Sequence, residues 1–413
     1  MTEFDRIFGK EFFIIDSNNL QSVTSDLYGY AIQDNKIIQR DSINNDFAID
    51  GFGTYVWVKV DSENITIFQD NTGAFGLYVY KFNDEFVISN SFIKLVDYLK
   101  NSKHITFNKK FADAFMFAGL VSTAYDKTLV NEIQVVPRDY KIIINKTEKN
   151  IFFKKLDLEE DTINIDSEEG LAILDGWYEK WVELIRTLKS KTNNITADLS
   201  GGFDSRVTAA IWLTSNINLD EITIRSREDI VHDFRVASKI SKKFNFKLNE
   251  NTIKQNSIYF EELDTILNIS FYAKLGFNKQ FYFKFNRYSE PIYKIGGAGG
   301  ESIRGYYNYT PEEYIQYIAN KTGKYSNELF SAAEEMIRYS CKKIDQKYNI
   351  YNEKSYDLAA KSYLNDRNRN HFGRSSVEAY CSNVISLAPL QDNDLIKLIT
   401  KTEECDDKEI IKR

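Results

Sequence analysis

Ile195-Thr196-Ala197-Asp198-Leu199-Ser200-Gly201-Gly202-Phe203-Asp204-Ser205 is the stretch whose reading decides the fold. Ile195 to Leu199 has the apolar character of a short buried strand. Ser200, Gly201 and Gly202 follow at once, and a helix is expected from about Ser205 to Ser215. In a parallel sheet, ligands collect at the carboxyl ends of the strands. Two glycines let the backbone approach an anion closely and reach positive φ. The following helix presents unpaired N–H groups and a partial positive charge, which suit a phosphate. Ser200 and Ser205 add hydroxyl donors. A bare phosphate would repel Asp204, so its presence points to a magnesium ion between the two. The plainer alternative is a Gly turn followed by a helix capped by Ser or Asp. The complete Ser-Gly-Gly-x-Asp-Ser string, set between a strand and an amphipathic helix, favours the phosphate loop.

The flanking sequence supplies strands that alternate with helices. Leu171, Leu174, Trp177, Trp181 and Ile185 mark one face of a helix over Glu168–Ser190. Glu221–Arg225 reads as a second strand, Asp233–Phe244 as a helix and Phe246–Asn249 as a third strand. From about Ser257 the pattern is mainly helical, with one more strand at Ile292–Ile295. Such alternation implies a parallel sheet. The first 155 residues read differently. Short alternating segments at Phe12–Ile15, Tyr55–Val60, Ile65–Gln69, Leu77–Phe82 and Glu85–Ser89 predict antiparallel strands. A hairpin is expected over Asp139–Lys155, and helices at Ile93–Lys100 and Lys110–Ala118. The acidic stretch LDLEEDTINIDSEE, residues 156–169, reads as a linker. The expectation is an α/β protein with an antiparallel β-sandwich domain over residues 1–155 and a helix-rich parallel-sheet domain over 165–413.

Composition narrows the function. The 413 residues are 43% hydrophobic, 14% aromatic and 27% charged, enough for a sizeable core. The formal charge of −7 argues against broad nucleic-acid binding, which shows a basic excess. Cys341, Cys381 and Cys405 are far apart, and His104, His232 and His371 share no ligand spacing. Neither a zinc site nor a disulfide framework is therefore indicated. No apolar run has the length of a signal peptide or a membrane span. The expectation is a reduced, cytoplasmic protein, with no membrane and no nucleic-acid partner.

Four segments carry a resemblance. SGGFDS resembles the pyrophosphatase loop of the N-type ATP pyrophosphatases, and it lacks the lysine of a Walker A loop. Within that group the chain is similar to the asparagine synthetase class, which includes β-lactam synthetase and lasso-peptide cyclases. Gln69-Asp70-Asn71-Thr72-Gly73, followed by Leu77-Tyr78, resembles its "RDxxGxxPLYY" hairpin. Ile295 to Tyr307, IGGAGGESIRGYY, resembles "LSGEGADELFGGY" without a gap. Ala388 to Leu395, APLQDNDL, resembles "VPFLDxxL". The resemblance implies an N-terminal domain like that of N-terminal nucleophile amidotransferases and a C-terminal synthetase domain. It implies ATP and Mg²⁺ as cofactors, a small-molecule or peptide carboxylate that becomes adenylated, and an amine donor. By position it implies nucleotide contacts at Leu199, Ser200, Gly201, Gly202, Asp204, Ser205, Gly297 and the Ile224 backbone. Asp204 and Glu301 would hold the metal. Arg304 would meet pyrophosphate or the acid substrate, and Lys408, in a weak match to "K-x-x-L-R", would neutralise the transition state. Asp233 matches an acid that often sits near ATP. A homodimer is an open oligomeric state.

Departures from that class are specific. No cysteine precedes Cys341, and Met1-Thr2-Glu3-Phe4 opens the chain, where glutamine-using members expose a nucleophilic cysteine. No "NGEIYN" segment is present. The N-terminal domain is therefore expected to be a platform and not a glutaminase. Ala298 stands where relatives place a residue that serves the attacking amine. The run DRNRNHFGR, Asp366 to Arg374, reads as a solvated charged face or, less favoured, an anion site. Two other functions share these features. One is a catalytically degenerate nucleotide-binding or scaffold protein of the same fold. The other is an RNA base-modifying ATP pyrophosphatase, which the acidic charge opposes.

Overall fold

A computed structural model describes residues 7–43, 52–101, 103–119, 125–156, 163, 166–250, 253, 256–274, 284–300, 309–322, 326–348, 358, 361–395 and 398. The N-terminal strands are β1 (Ile15–Asp16), β2 (Asp26–Gln33), β3 (Lys36–Ile38), β4 (Phe52–Val60), β5 (Asn64–Gln69), β6 (Tyr78–Phe82), β7 (Glu85–Ser89), β8 (Ile133–Val135), β9 (Tyr140–Asn145) and β10 (Asn150–Lys155). They form two antiparallel sheets, ordered β1-β7-β6-β8 and β10-β9-β5-β4-β2-β3. Period-two alternation places the side chains. β5 buries Ile65, Ile67 and Gln69 and leaves the residues between them partly exposed. Val56, Ile65, Ile67, Ile142 and Ile144 of the larger sheet share one core with Val79 and Ile88 of the smaller. The strand expected at Phe12–Ile15 pairs only at Ile15–Asp16. The Phe13 N–H donates to the Asn90 side chain instead of to a strand, at 3.1 Å. Helices α1 (Phe92–Leu99) and α2 (Lys109–Ala118) start on Ser91 and Asn108, whose side chains accept N–H bonds from the first turn.

The second half holds a parallel sheet. β11 (Ile195–Asp198), β12 (Thr223–Arg225), β15 (Ile292–Ile295) and β16 (Val384–Leu387) run in the order β12-β11-β15-β16. β13 (Asn256–Tyr259) and β14 (Lys284–Arg287) make a separate antiparallel pair that helical periodicity did not anticipate. α3 (Glu168–Lys189) is capped by Ser167 and carries acids in its first turn and bases in its last. α4 (Phe203–Thr214) and α5 (Val231–Phe244) follow β11 and β12. α6 (Leu263–Lys274), α7 (Pro311–Thr322), α8 (Asn327–Tyr348) and α9 (Arg374–Cys381) complete the helices used below. The strand expected at Phe246–Asn249 is absent. Asn249 has a left-handed backbone, φ 59°, which ends extended geometry, and its N–H makes a single 2.8 Å bond to the Ile224 carbonyl.

Sheet order creates the cleft. From β11 the chain crosses to β12 on one side, then returns to β15 on the other. The loop after β11 therefore lies where the chain changes side in the sheet, and a crevice opens at the carboxyl ends of these strands.

The two halves share their cores. Tyr30, Ile32 and Phe52 pack with Trp181, Ile185, Trp212 and Ile385. Phe260, Ile266, Phe285 and Val377 join the core between the antiparallel sheets. Phe111, Ala114 and Phe117 of α2 pack with Ile315, Met336 and Ile344 of α7 and α8. The segment 388–395 is held on α3. Trp177 Nε1 donates to the Pro389 carbonyl at 2.9 Å, Trp181 Nε1 to Asp392 at 2.7 Å, and Lys180 pairs with Asp392 at 2.8 Å.

The run 366–374 departs from the expected solvated face. It forms π-helical turns at Tyr363–Arg367 and Arg369–Gly373 that lead into α9. Arg369 and Arg374 are buried. Arg369 donates to the Tyr125 carbonyl at 3.0 Å, and Arg374 donates to the Tyr78 hydroxyl at 2.6 Å. The N-terminal half, absent from any local reading of the run, covers these arginines. No helix among the described residues is long and apolar enough to cross a membrane.

Candidate functional site

The loop after β11 is braced from within. The Ser205 hydroxyl accepts from the Ser200 N–H at 3.0 Å and lies 2.9 Å from the Ser200 hydroxyl. Ser200 Oγ accepts from the Gly202 N–H at 3.1 Å, and Ser205 Oγ donates to the Gly202 carbonyl at 3.0 Å. The two serines thus shape the turn, a role the sequence assigned to ligand donors. α4 begins at Phe203, two residues before its expected start. Its N-cap is Gly202, and no side chain caps it. The plainer reading, a Ser- or Asp-capped helix, is therefore not what forms. The N–H groups of the first turn lack intrahelical partners by the geometry of a helix.

Two other segments meet this turn. A Cβ added to Gly297 would lie 2.7 Å from the backbone carbon of Asp204 and from the Ser205 nitrogen. One on Gly300 would lie 2.2 Å from Asp204 Cγ. The glycine loop after β15 thus rests directly on the first turn of α4 and on the Asp204 carboxyl. On the opposite side, a Cβ on Gly201 would lie 2.7 Å from Asp233 Oδ1. Asp233 sits in the first turn of α5.

A cleft of about 560 Å³ opens beside the turn. Leu199, Ser200 and Ser205 line it from the loop, Asp198 and Lys294 from the strand ends, and Thr223, Ser226 and Asn249 from the β12 side. Arg225, Arg227, Ile230 and Asp233 complete the lining. Its charged groups are three cations, Arg225, Arg227 and Lys294, and two carboxylates, Asp198 and Asp233. Lys294 Nζ pairs with Asp198 at 2.7 Å. Arg227 pairs with Asp229, and hydrogen bonding to that carboxylate holds the guanidinium above its ordinary pKa. At the β12 end, Asn249 closes a compact pattern. Its side-chain oxygen accepts from the Ser226 N–H at 2.9 Å, and its amide donates to the Ser226 carbonyl at 3.0 Å.

The structure gathers Leu199, Ser200, Gly201, Gly202, Asp204, Ser205 and Gly297 around one turn. Ile224 is different. It is a buried core residue, 1% exposed, its carbonyl already accepts from Asn249, and it is not among the residues that line the cleft. Asp204 is a carboxylate donor of the type magnesium takes. The Gly300 backbone reaches it only because no Cβ intervenes. Of the two expected metal residues, Asp204 is the one among those described, and the Gly300 backbone packs against its carboxyl. Glu301, Arg304 and Lys408, the other expected catalytic or metal residues, lie outside the described residues. Among the described residues no group of three or more His, Cys, Asp or Glu side chains is placed to hold a metal ion.

Residue-by-residue reading missed Asp198, Ser226, Asn249 and Lys294. Two of them carried a signal. Asp198 ends a strand that is otherwise nearly all buried, and Lys294 interrupts Ile292-Tyr293-Lys294-Ile295. No family model and no curated protein matches the chain.

Proposed function

We propose that the chain is an ATP-dependent, AMP-forming ligase that adenylates a carboxylate and joins it to an amine as an amide. The observation that carries this reading is the contact of two loops at the parallel-sheet crevice. The uncapped helix after β11 and the glycine loop after β15 meet at Asp204. A helix N-terminus open beside a backbone turn is an anion site, and an aspartate in that first turn suits a magnesium polyphosphate better than a bare anion.

In this reading the base lies over β12, near Ser226 and Asn249. The triphosphate lies along the loop, where first-turn N–H groups of α4 bind its oxygens. Ser200 and Ser205 hold the loop shape. Asp204, with Glu301, would hold the magnesium ion, which supplies charge neutralisation and orientation of the phosphates when bound. The acid's carboxylate oxygen attacks the α-phosphorus, the bond to the bridging oxygen breaks, and pyrophosphate leaves with that electron pair. The neutral amine then attacks the acyl carbon, the bond from that carbon to the AMP oxygen breaks with its electron pair leaving on AMP, and the nitrogen releases its proton to solvent. Resemblance to the asparagine synthetase and β-lactam synthetase class supports the same chemistry. On that basis the antiparallel half is an amidotransferase-like sandwich. In this reading it serves as a platform and not as a glutaminase. The amine is then free, or part of the substrate itself. A natural product, a modified peptide or a sugar acid amide is the class of product.

Exchange of labelled pyrophosphate into ATP tests the reaction. Exchange should require magnesium and a carboxylic acid, and should fall at least about 100-fold in Asp204→Ala. A wild-type chain that binds no ATP at all would end this reading and favour the scaffold alternative.

A further inference from the structure

Asp198 and Lys294 sit where a parallel sheet is normally apolar. β11 and β15 are the two interior strands of the four-stranded sheet. Strands of parallel sheets, buried on both faces, usually read as hydrophobic runs. Ile195, Ala197, Leu199 and Ile295 obey that rule and belong to the core. Alternation puts Thr196 and Asp198 on the other face, and strand register pairs Thr196 with Lys294. The acid and the base therefore share one face, at the carboxyl ends of neighbouring strands, and both line the cleft.

Stability does not account for the pair. Both side chains are 41% exposed, so solvent screens their attraction. Exposed pairs of this kind contribute little to folding. Place in the cleft gives a better account. β12, with Thr223, Ser226 and Asn249, borders β11 on one side. β15 borders it on the other and leads straight into the glycine loop that rests on Asp204. A nucleotide with its base over β12 extends its phosphates across the β11–α4 turn toward β15. Lys294 stands at that end, and it is the only lysine among the described residues lining the cleft.

We propose that Lys294 is a phosphate-binding residue of the adenylation site that grips the β- and γ-phosphates, the half of ATP that leaves as pyrophosphate, while Asp198 positions it. This rests on the adenylation reading above. Asp198 keeps the ammonium in the cleft before the nucleotide arrives. Lys294 then donates hydrogen bonds to phosphate oxygens. As the bond between the α-phosphorus and the bridging oxygen breaks, negative charge gathers on the departing pyrophosphate beside the ammonium. The step transfers no proton or electron to Lys294.

Equilibrium binding of three probes, each with Mg²⁺, tests the assignment: ATP, inorganic pyrophosphate and AMP. Loss of one charge-assisted contact should weaken pyrophosphate and ATP by about 10- to 100-fold in Lys294→Met, with AMP within about 2-fold of wild type. Lys294→Arg should recover most of the pyrophosphate affinity, since it keeps the charge. Asp198→Asn should give a smaller loss, because the lysine keeps its charge but loses its tether. Unchanged pyrophosphate affinity in Lys294→Met overturns the proposal. Equal weakening of AMP also overturns it, since the lysine would then act on the nucleoside monophosphate or on the fold. A wild-type protein that binds ATP and pyrophosphate but supports no exchange leaves this assignment standing and refutes the ligase reading. One that binds neither refutes both.

Discussion

Asp366 shows how one buried side chain sets a pH dependence. It is 4% exposed, and burial pushes its carboxyl up to about 6, with Arg369 offsetting only part of that shift. The folded state then holds the Asp366 proton more tightly than the unfolded chain, where aspartate titrates at about 3.9. The stabilisation is complete below the unfolded value and is lost as pH rises through the folded one, on the order of 3 kcal/mol in all. Asp366→Asn stays neutral at every pH and escapes that loss. Urea unfolding at about pH 4.5 and about pH 7 should show the variant gaining on wild type with rising pH. Parallel pH profiles for the two proteins would show that Asp366 is not protonated in the fold. The arginines nearby teach the same lesson about reading residues singly. Arg369 and Arg374 belong to a run whose charges suggest solvent, yet both lie in the interior against Tyr125 and Tyr78.

Among elements, the glycine loop after β15 is the most exacting. A Cβ at Gly300 would overlap the Asp204 carboxyl, at 2.4 Å from one oxygen and 2.5 Å from the other. Nothing at that distance is ordinary contact, so the Asp204 carboxylate, a side-chain end, must swing aside. Gly300→Ala should therefore displace the Asp204 carboxylate and weaken magnesium-dependent ATP binding, while the far-ultraviolet circular dichroism stays that of wild type. ATP binding of wild-type strength in Gly300→Ala would mean that the contact with Asp204 is dispensable. Gly76 makes a comparable demand in the loop that crosses from β5 in one sheet to β6 in the other, not the hairpin that the resemblance implied: its φ is +81°, and a Cβ there would lie 2.5 Å from Arg374 Nη2. Elements also mark what pattern reading can reach. The helices expected at Ile93–Lys100, Lys110–Ala118 and Glu168–Ser190 form within a residue of those bounds, because amphipathic spacing and caps are local. β16 and the β13–β14 pair were not legible. Short strands carry little periodicity, and their identity depends on a distant partner.

At the scale of the whole molecule, the acidic stretch near residue 160 separates two kinds of sheet but not two cores. Each of the three largest hydrophobic clusters draws side chains from both sides of it. Tyr30 adds a polar tie, donating to the Ser386 carbonyl at 2.9 Å and accepting from the Ser386 N–H at 3.1 Å. It thereby satisfies the outer edge of β16, the last strand of the parallel sheet. The chain should unfold in one transition. Trp57 reports the first half, and Trp177, Trp181 and Trp212 report the second. In the wild-type protein, tryptophan fluorescence and far-ultraviolet circular dichroism should give coincident midpoints in urea. Tyr30→Phe should lower both together, by about 1 kcal/mol, because it leaves a half-buried backbone N–H and carbonyl without the Tyr30 hydroxyl. Separate transitions would refute the shared core.

Sequence by itself determined the grammar of the site: a short buried strand, a Gly-Gly turn, a helix carrying Asp204 in its first turn. Those features arise from side-chain periodicity and backbone freedom within about a dozen residues, so no distant contact is needed to read them. Tertiary structure decided everything that brings remote segments together. It placed β15 beside β11, which set Gly300 on Asp204 and Lys294 on Asp198 across roughly a hundred residues of chain. It also gave the Ile224 carbonyl to Asn249 and buried Arg369 and Arg374 against the N-terminal half. Strand order and burial follow from how whole faces pack, and no single segment carries that information.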